Sequence, residues 1–178
     1  MVRYARKTLD EYGFTKTTTM LNEWNNSARL PITLESSEAA ARACNMICSL
    51  QNEPVDMLCY YDTGFYPGSS YNGMFHPMTK KPYCLYYGFK AFGELFGLGR
   101  QVKSECDDGD ITVLAATNGE SKGLIIVNTS DESKEILCDF GDSDVHLINE
   151  ENPMIATELD PRRFTLQPST VAYLKSPC

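Results

Sequence analysis

The pattern of hydrophobic residues changes a little past the middle of the chain, and this change limits the folds that the chain can adopt. Residues 1–100 alternate between helix-like and strand-like patterns. From Gln101 onward, short apolar runs recur about every 8–12 residues, with turn-forming sequences between them. The patterns predict a mixed α+β chain, with an α/β segment over residues 1–100 and an antiparallel β-sandwich domain over residues 101–178.

The α/β segment is predicted to contain three helices and two strands. The helices are expected at 2–12, 34–50 and 83–96, and the strands at 17–21 and 55–62. A loop rich in Gly, Pro, Tyr and Ser joins the second strand to the third helix, and its length is typical of a functional loop. The predicted strands of the sandwich are 111–116, 123–128, 134–139, 145–148, 155–157, 163–166 and 171–175.

Composition excludes several classes of function. The net charge of −8 disfavours nucleic acids and acidic lipid surfaces as partners. No apolar run approaches the ~18 residues of a membrane span, and the N-terminus lacks the apolar core of a signal peptide. The seven cysteines include no CxxC pair and no zinc-motif spacing, so we expect neither structural disulfides nor a metal site. These features predict a cytoplasmic protein without a cofactor.

Polar and aromatic residues gather where both predicted strands of the α/β segment end. The first strand runs into Asn22, Glu23, Trp24 and Asn25, and the second ends in Tyr60-Tyr61-Asp62. In α/β barrels, catalytic groups lie at the C-terminal ends of the strands. The pattern therefore indicates a sugar-binding carboxylate beside an indole, with the alternative that these polar residues only cap the following helix.

Four features, taken in order, resemble the C-terminal part of a clan A glycoside hydrolase, most closely the family 39 type of β-xylosidases and α-iduronidases. Residues 21–27 (LNEWNNS) resemble the end of the seventh barrel strand, where the nucleophilic Glu is followed by an aromatic residue. Residues 55–62 resemble the eighth strand, and 81–89 (KPYCLYYGF) the start of the last barrel helix. Residues 107–178 resemble the β-sandwich beside such barrels.

The resemblance implies roles for individual residues. Glu23 would be the nucleophile, and the substrate would be a carbohydrate, namely a β-xyloside or a related glycoside. For three candidates a structural role stays open: Trp24 as a core residue holding the strand end against a helix, Tyr61 as a packing residue, and Asp62 as a turn former. The candidate substrate-binding residues are Asn22, Trp24, Asn25, Tyr61, Asp62, Tyr71 and Phe75.

The chain also departs from this family. A complete barrel has eight strands in about 250 residues, whereas this chain supplies two. The family's acid/base Glu lies in an Asn-Glu-Pro sequence on the fourth strand, upstream of Met1. Asn52-Glu53-Pro54 spells that motif but precedes a predicted strand, which places Glu53 at the opposite end from Glu23. We therefore expect a fragment of a retaining glycoside hydrolase that is inactive alone.

The open strand edges of such a fragment predict either a homodimer or docking to a chain that supplies the missing barrel strands. Two alternatives remain at this point. The chain is a non-catalytic β-sandwich module that binds carbohydrate or another partner, or it is a truncated gene product with no retained function.

Overall fold

The computed structural model describes residues 1–25, 36–61, 63, 73–76 and 78–176. It is a mixed α+β fold in which most strands belong to antiparallel sheets. In chain order, its elements are α1 (Val2–Glu11), β1 (Met20–Trp24), α2 (Ser37–Leu50), β2 (Met57–Tyr60), α3 (Cys84–Gly97), β3 (Arg100–Val102), β4 (Ile111–Thr117), β5 (Lys122–Asn128), β6 (Lys134–Leu137), β7 (Asp144–Ile148), β8 (Pro153–Thr157), β9 (Arg163–Leu166) and β10 (Val171–Lys175).

The described elements pack as four layers. Strands β1 and β2 pair in parallel, with α2 as their connection. Helices α2 and α3 pack against each other beneath this pair, and their other side covers a six-stranded sheet of order β3-β4-β5-β10-β7-β8. The β6–β9 pair packs on the far face of that sheet. The helices therefore share one core with β1–β2 and another with the large sheet.

Successive side chains of the central strands point to opposite faces of the large sheet, and each face contributes to a different core. In β5, Ile125 and Val127 face the helices, whereas Leu124 and Ile126 face β6–β9. The same alternation holds in β4 and β10, as the period of two in a strand requires. Because both faces of β5 are covered, its apolar run is continuous rather than alternating with polar residues.

The structure places several strand ends differently from the prediction, among them those of β2, which spans Met57–Tyr60 rather than 55–62. The first strand begins at Met20 rather than at residue 17, because its ladder with β2 starts at the pair Met20–Met57. Glu23 consequently lies inside the strand and not after it. Strand β3 was not predicted, and it extends the large sheet to Arg100, directly after α3. Short strands occupy all seven positions predicted between 111 and 175.

One backbone bond and several side-chain bonds hold the threonine run before β1. The backbone N–H of Asp56 donates to the carbonyl oxygen of Thr19 (2.9 Å). The carboxylate of Asp56 accepts a hydrogen bond from the backbone N–H of Thr19 (2.7 Å) and a second from its hydroxyl (3.0 Å). The guanidinium of Arg6 donates to the carbonyl oxygen of Thr17 (2.7 Å). These contacts join the N-terminal ends of β1 and β2 and connect them to α1.

The Asp56 contact predicts a pH-dependent contribution to stability. The backbone N–H of Thr19, followed by its hydroxyl, lowers the pKa of Asp56. A carboxyl group whose pKa is lower in the folded state stabilises the fold at pH values above its unfolded pKa of about 3.9. This stabilisation is lost as the pH falls through the folded-state pKa. We expect Asp56→Asn to lower Tm by roughly a few degrees at pH 7, and the difference from wild type to shrink below about pH 4. Thermal unfolding followed by circular dichroism measures this, and Asp131→Asn, in an exposed turn, should lack this pattern.

Candidate functional site

The C-terminal ends of β1 and β2 lie side by side, as the sequence predicts. Trp24 is the register partner of Tyr60, and the backbone N–H of Tyr61 donates to the carbonyl oxygen of Trp24 (2.8 Å). The ladder thus continues just past the ends of both strands. Candidate residues from two separate parts of the sequence are brought to one edge of the parallel pair.

A bulge in β1 determines which of its side chains are exposed. Two residues of β1, Asn22 and Glu23, lie opposite only Cys59 of β2, between the pairs Leu21–Leu58 and Trp24–Tyr60. Because of this extra residue, Leu21 and Trp24 both pack toward the helices, whereas Asn22 and Glu23 are both exposed. Bulges occur often beside active sites, where they redirect a side chain. Here the bulge gives the Glu23 carboxylate access to solvent.

Trp24 lies in the core between β1–β2 and the helices. Its side chain is only 7% exposed, packs edge-on against Tyr60 (4.9 Å between ring centres) and stacks on Phe89 of α3 (6.4 Å). Its indole N–H is buried and has no hydrogen-bond partner among the described residues. These contacts fit the alternative stated above, in which Trp24 holds the strand end against a helix, and leave no open face for a sugar.

Asn25 connects the two strand ends through its side chain. Its amide nitrogen donates to the carbonyl oxygen of Tyr61, and its amide oxygen accepts from the hydroxyl of Tyr60 (3.3 Å). Asn25 therefore positions the backbone beside Glu23 rather than presenting a free amide. Tyr61 lies just after β2 and has 42% of its surface exposed.

Phe75 is the loop candidate that the structure describes. It is half-buried and packs on Tyr86 of α3 (5.2 Å between ring centres), which places it at the margin of the core. Asp62 and Tyr71 lie outside the described residues. Of the seven candidate binding residues, Asn22 and Tyr61 are therefore the described ones with exposed side chains.

A polar cavity of about 280 Å³ adjoins Asn25 on the side of α2. Glu38 and Arg42, which form an ion pair (2.6 Å), lie on one of its walls, and Thr129 and Ser169 from the sheet loops lie on another. Glu23 does not line this cavity, so the carboxylate and the cavity are separate features of the described structure.

Glu53 lies where its position before a strand predicts. It precedes β2, at the opposite end of the parallel pair from Glu23, and forms a two-bond ion pair with Arg3 of α1. The hydrogen bond from the Arg3 guanidinium lowers the pKa of Glu53 and keeps it ionised. An ionised carboxylate at this end is a structural anchor of α1 and cannot act as a general acid toward a sugar held near Glu23.

The cysteines of α2 behave as small apolar side chains. Cys44 and Cys48 lie in the core shared with the large sheet, where burial raises the pKa of Cys48 to about 12 and that of Cys44 well above its usual value. Both thiols stay protonated at neutral pH. No group of three or more potential metal-ligating side chains occurs in the described ranges, and none of their helices has the length and apolar character to cross a membrane.

Comparison with known proteins shows similarity at the level of fold. No family model matches the sequence, and no curated protein matches it significantly. Among solved structures, a glucosidase from Croceicoccus marinus aligns over 98% of this chain and 49% of its own, at 15% identity and a TM-score of 0.73. A family 39 β-xylosidase from Caulobacter crescentus aligns over 99% and 48%, at 14% identity and a TM-score of 0.71.

A family 30 subfamily 8 xylanase from Clostridium acetobutylicum also aligns, over 90% of this chain and 43% of its own, at 12% identity and a TM-score of 0.65. The chain shares its fold with parts of glycoside hydrolases. It spans less than half the length of each of these three structures. Because proteins of families 30, 39 and 44 all align at low identity, the similarity does not distinguish among these families.

Proposed function

We propose that this chain is part of a retaining glycoside hydrolase of the family 39 type, in which Glu23 is the nucleophile and a β-xyloside or related glycoside is the substrate. The observation that carries the proposal is the bulge in β1, which exposes Glu23 beside the paired C-terminal ends of two parallel strands. The shared fold with a β-xylosidase and xylanases supports a carbohydrate as the ligand.

In the proposed reaction, a carboxylate oxygen of Glu23 attacks the anomeric carbon and forms a glycosyl–enzyme bond while the glycosidic oxygen leaves. A second, protonated carboxyl group about 5–5.5 Å away gives its proton to the leaving oxygen and then takes one from the water that releases the sugar. The hydrogen bonds of Asn25 to Tyr60 and Tyr61 hold the strand ends that position Glu23. Tyr61 and Asn22 are the exposed neighbours that would contact the sugar.

The second carboxyl group is expected from a further polypeptide segment, because Glu53 lies at the wrong end of the strand pair. In the described structure β1 and β2 pair only with each other, and the exposed side chains of Met20 and Met57 lie along them. We propose that these edges are covered either by a second copy of this chain or by a separate chain that carries the missing barrel strands. Without that complement, loss of acid–base help alone would slow hydrolysis by about 10²–10⁴-fold.

Calorimetric titration with xylotriose tests the sugar-binding part of the proposal. We expect Glu23→Ala to weaken binding by about tenfold, because a charged hydrogen-bond acceptor for a sugar hydroxyl is lost. Glu120→Ala removes an exposed glutamate from the β4–β5 turn and should leave binding unchanged. Equal affinities for wild type and Glu23→Ala would contradict a sugar site at Glu23.

Nitrophenol release from an aryl β-xyloside tests the catalytic part. We expect the isolated chain to show no release above the rate of Glu23→Gln. Release at a rate typical of a complete enzyme, abolished in Glu23→Gln, would contradict the need for a complement.

A non-catalytic β-sandwich module is the second candidate function. The observation in its favour is the core between the large sheet and β6–β9, which consists entirely of residues from 102 to 174. Xylotriose binding that persists in Glu23→Ala would favour this candidate, because the ligand would then be held by the sandwich.

A further inference from the structure

The β6–β9 pair and the segment 102–108 both lie over the face of the large sheet that points away from the helices. A groove of about 530 Å³ lies between β6 and the segment 102–108. Its floor consists of inward-facing apolar side chains of β4 and β5. These are Ile111, Val113, Ala115, Leu124 and Ile126, of which Val113 is half-buried and each of the others is at most 7% exposed. The groove is distant in sequence from Glu23 and is not part of the function proposed above.

One wall of the groove is the free edge of β6. Six consecutive residues of β6 and the segment after it, Glu135 to Phe140, line the groove, and no residue of β9 does. The N–H of Cys138 donates to the carbonyl oxygen of Arg162 on the β9 side (3.0 Å). Since alternate residues of an antiparallel strand direct their backbone groups to opposite sides, those of Glu135 and Leu137 point away from β9. No strand pairs with this edge within the described ranges.

The groove is acidic around its apolar floor. Five carboxylates (Glu105, Asp107, Asp108, Glu135 and Asp139) and one ammonium group (Lys103) line it. Lys134 compensates Asp108, and Arg163 compensates Glu135. Asp107 and Asp139 have no ion-pair partner among the described residues, so the rim retains negative charge that favours a basic partner.

We propose that this groove binds an extended polypeptide segment of a partner protein, which adds a strand to the free edge of β6. Alternate apolar side chains of the segment would rest on the floor formed by β4 and β5, because successive side chains of a strand point to opposite faces. Lysine or arginine at the intervening positions would face Asp107 and Asp139. Strand addition of this kind takes its affinity from backbone hydrogen bonds and its specificity from the side-chain pockets.

The probe is a short fluorescein-labelled peptide that alternates lysine and valine, titrated against the full chain and followed by anisotropy. We expect saturable binding, and binding at least about tenfold weaker for a peptide that alternates glutamate and valine. A lysine–valine peptide with N-methyl groups at alternate positions, which lacks the edge donors, should also bind about tenfold more weakly.

Two variants locate the site. Leu137→Pro removes an N–H that faces the groove, and Thr165→Pro removes one from the outer edge of β9, where its register partner is Glu135. We expect only Leu137→Pro to weaken binding, by about tenfold. Because proline can also disturb β6 itself, Val113→Trp provides a second variant that fills the floor and leaves the edge intact. It should abolish binding.

Native cysteines report occupancy independently. Cys106 is exposed and lines the groove, whereas Cys59 is half-buried in β2 and does not. Bound peptide should slow alkylation of Cys106 and leave that of Cys59 unchanged. Four outcomes would overturn the proposal. Three concern the peptides: no binding at millimolar concentration, equal binding of the glutamate peptide, or equal binding of the N-methylated peptide, which would indicate a general apolar pocket. The fourth is a wild-type dimer in light scattering that Val113→Trp dissociates, because a second copy would then be the occupant.

Discussion

Replacing Asn128 with alanine should lower the free energy of unfolding by about 3 kcal/mol, because a polar network loses its centre and Asn128 itself is fully buried. The side-chain amide nitrogen donates to the carbonyl oxygens of Glu132 (2.8 Å), Gln167 (3.0 Å) and Leu166 (3.2 Å). The side-chain oxygen accepts from the backbone N–H and the hydroxyl of Ser130. Asn128 thereby joins the β5–β6 turn to the chain between β9 and β10.

Asn128→Asp should destabilise the protein more at neutral pH, because an anionic oxygen would then face three carbonyl oxygens inside the protein. Burial and these oxygens would raise the pKa of the new carboxyl group above its unfolded value. A carboxyl group whose pKa is higher in the folded state destabilises the fold at pH values above its unfolded pKa. This loss of stability shrinks as the pH falls, because the protonated group can donate a hydrogen bond. The gap between wild type and this variant should therefore narrow on acidification.

Urea unfolding followed by circular dichroism measures both effects, and Asn118 provides the matched control. Asn118 lies in the exposed β4–β5 turn, where its side-chain oxygen accepts from the N–H groups of Glu120 (3.0 Å) and Ser121 (2.7 Å). Asn118→Ala should cost only about 0.5–1 kcal/mol, because the released groups can bond to water. If Asn128→Ala lowers the free energy of unfolding by no more than Asn118→Ala does, the buried hydrogen bonds of Asn128 are not what stabilises the fold.

The strands after residue 101 could be predicted because their signals are local. Alternation and turn residues lie within each run, and seven of the eight strands from β3 to β10 were found in this way. The role of Asn128 could not be predicted. An asparagine at the end of a strand is ordinary turn chemistry, and the carbonyl groups of Leu166 and Gln167 that bury it lie nearly forty residues further along the chain.

In the candidate site, too, the features that depend on nearby residues could be predicted, and those that depend on distant residues could not. The meeting of the two strand ends followed from a strand–helix–strand pattern and is present as parallel pairing. The exposure of Glu23 together with Asn22 depends on a bulge opposite Cys59, and nothing in residues 20–24 indicates which residue of β2 they will face. For the same reason the sequence shows Trp24 only as an aromatic residue within a polar cluster. Its contact with Phe89 of α3, which is distant in sequence, makes it a core residue.

Gly88→Ala should destabilise the protein by about 1–2 kcal/mol, although alanine is the better helix former by about 1 kcal/mol. Helices α2 and α3 approach closely at this position: a β-carbon on Gly88 would lie 2.8 Å from the sulfur of Cys44. The Cys44 side chain is 1% exposed and packed in the core, so it has little space into which it can move. Gly93→Ala is the control in the same helix, because its β-carbon would meet nothing within 4 Å, and it should stabilise by about 0.5–1 kcal/mol.

The sign of the Gly88 effect should reverse when the sulfur is removed. Cys44→Ala alone should be destabilising because it leaves a small cavity, and a methyl group at position 88 can then occupy part of that space. In the Cys44→Ala background, Gly88→Ala should therefore stabilise, by about 1 kcal/mol, since the helix propensity of alanine no longer competes with a clash. A double-mutant cycle measured by urea unfolding gives the coupling free energy directly, and we expect about 2–3 kcal/mol. If Gly88→Ala costs the same in both backgrounds, the close approach of the two helices is not what requires glycine at this position.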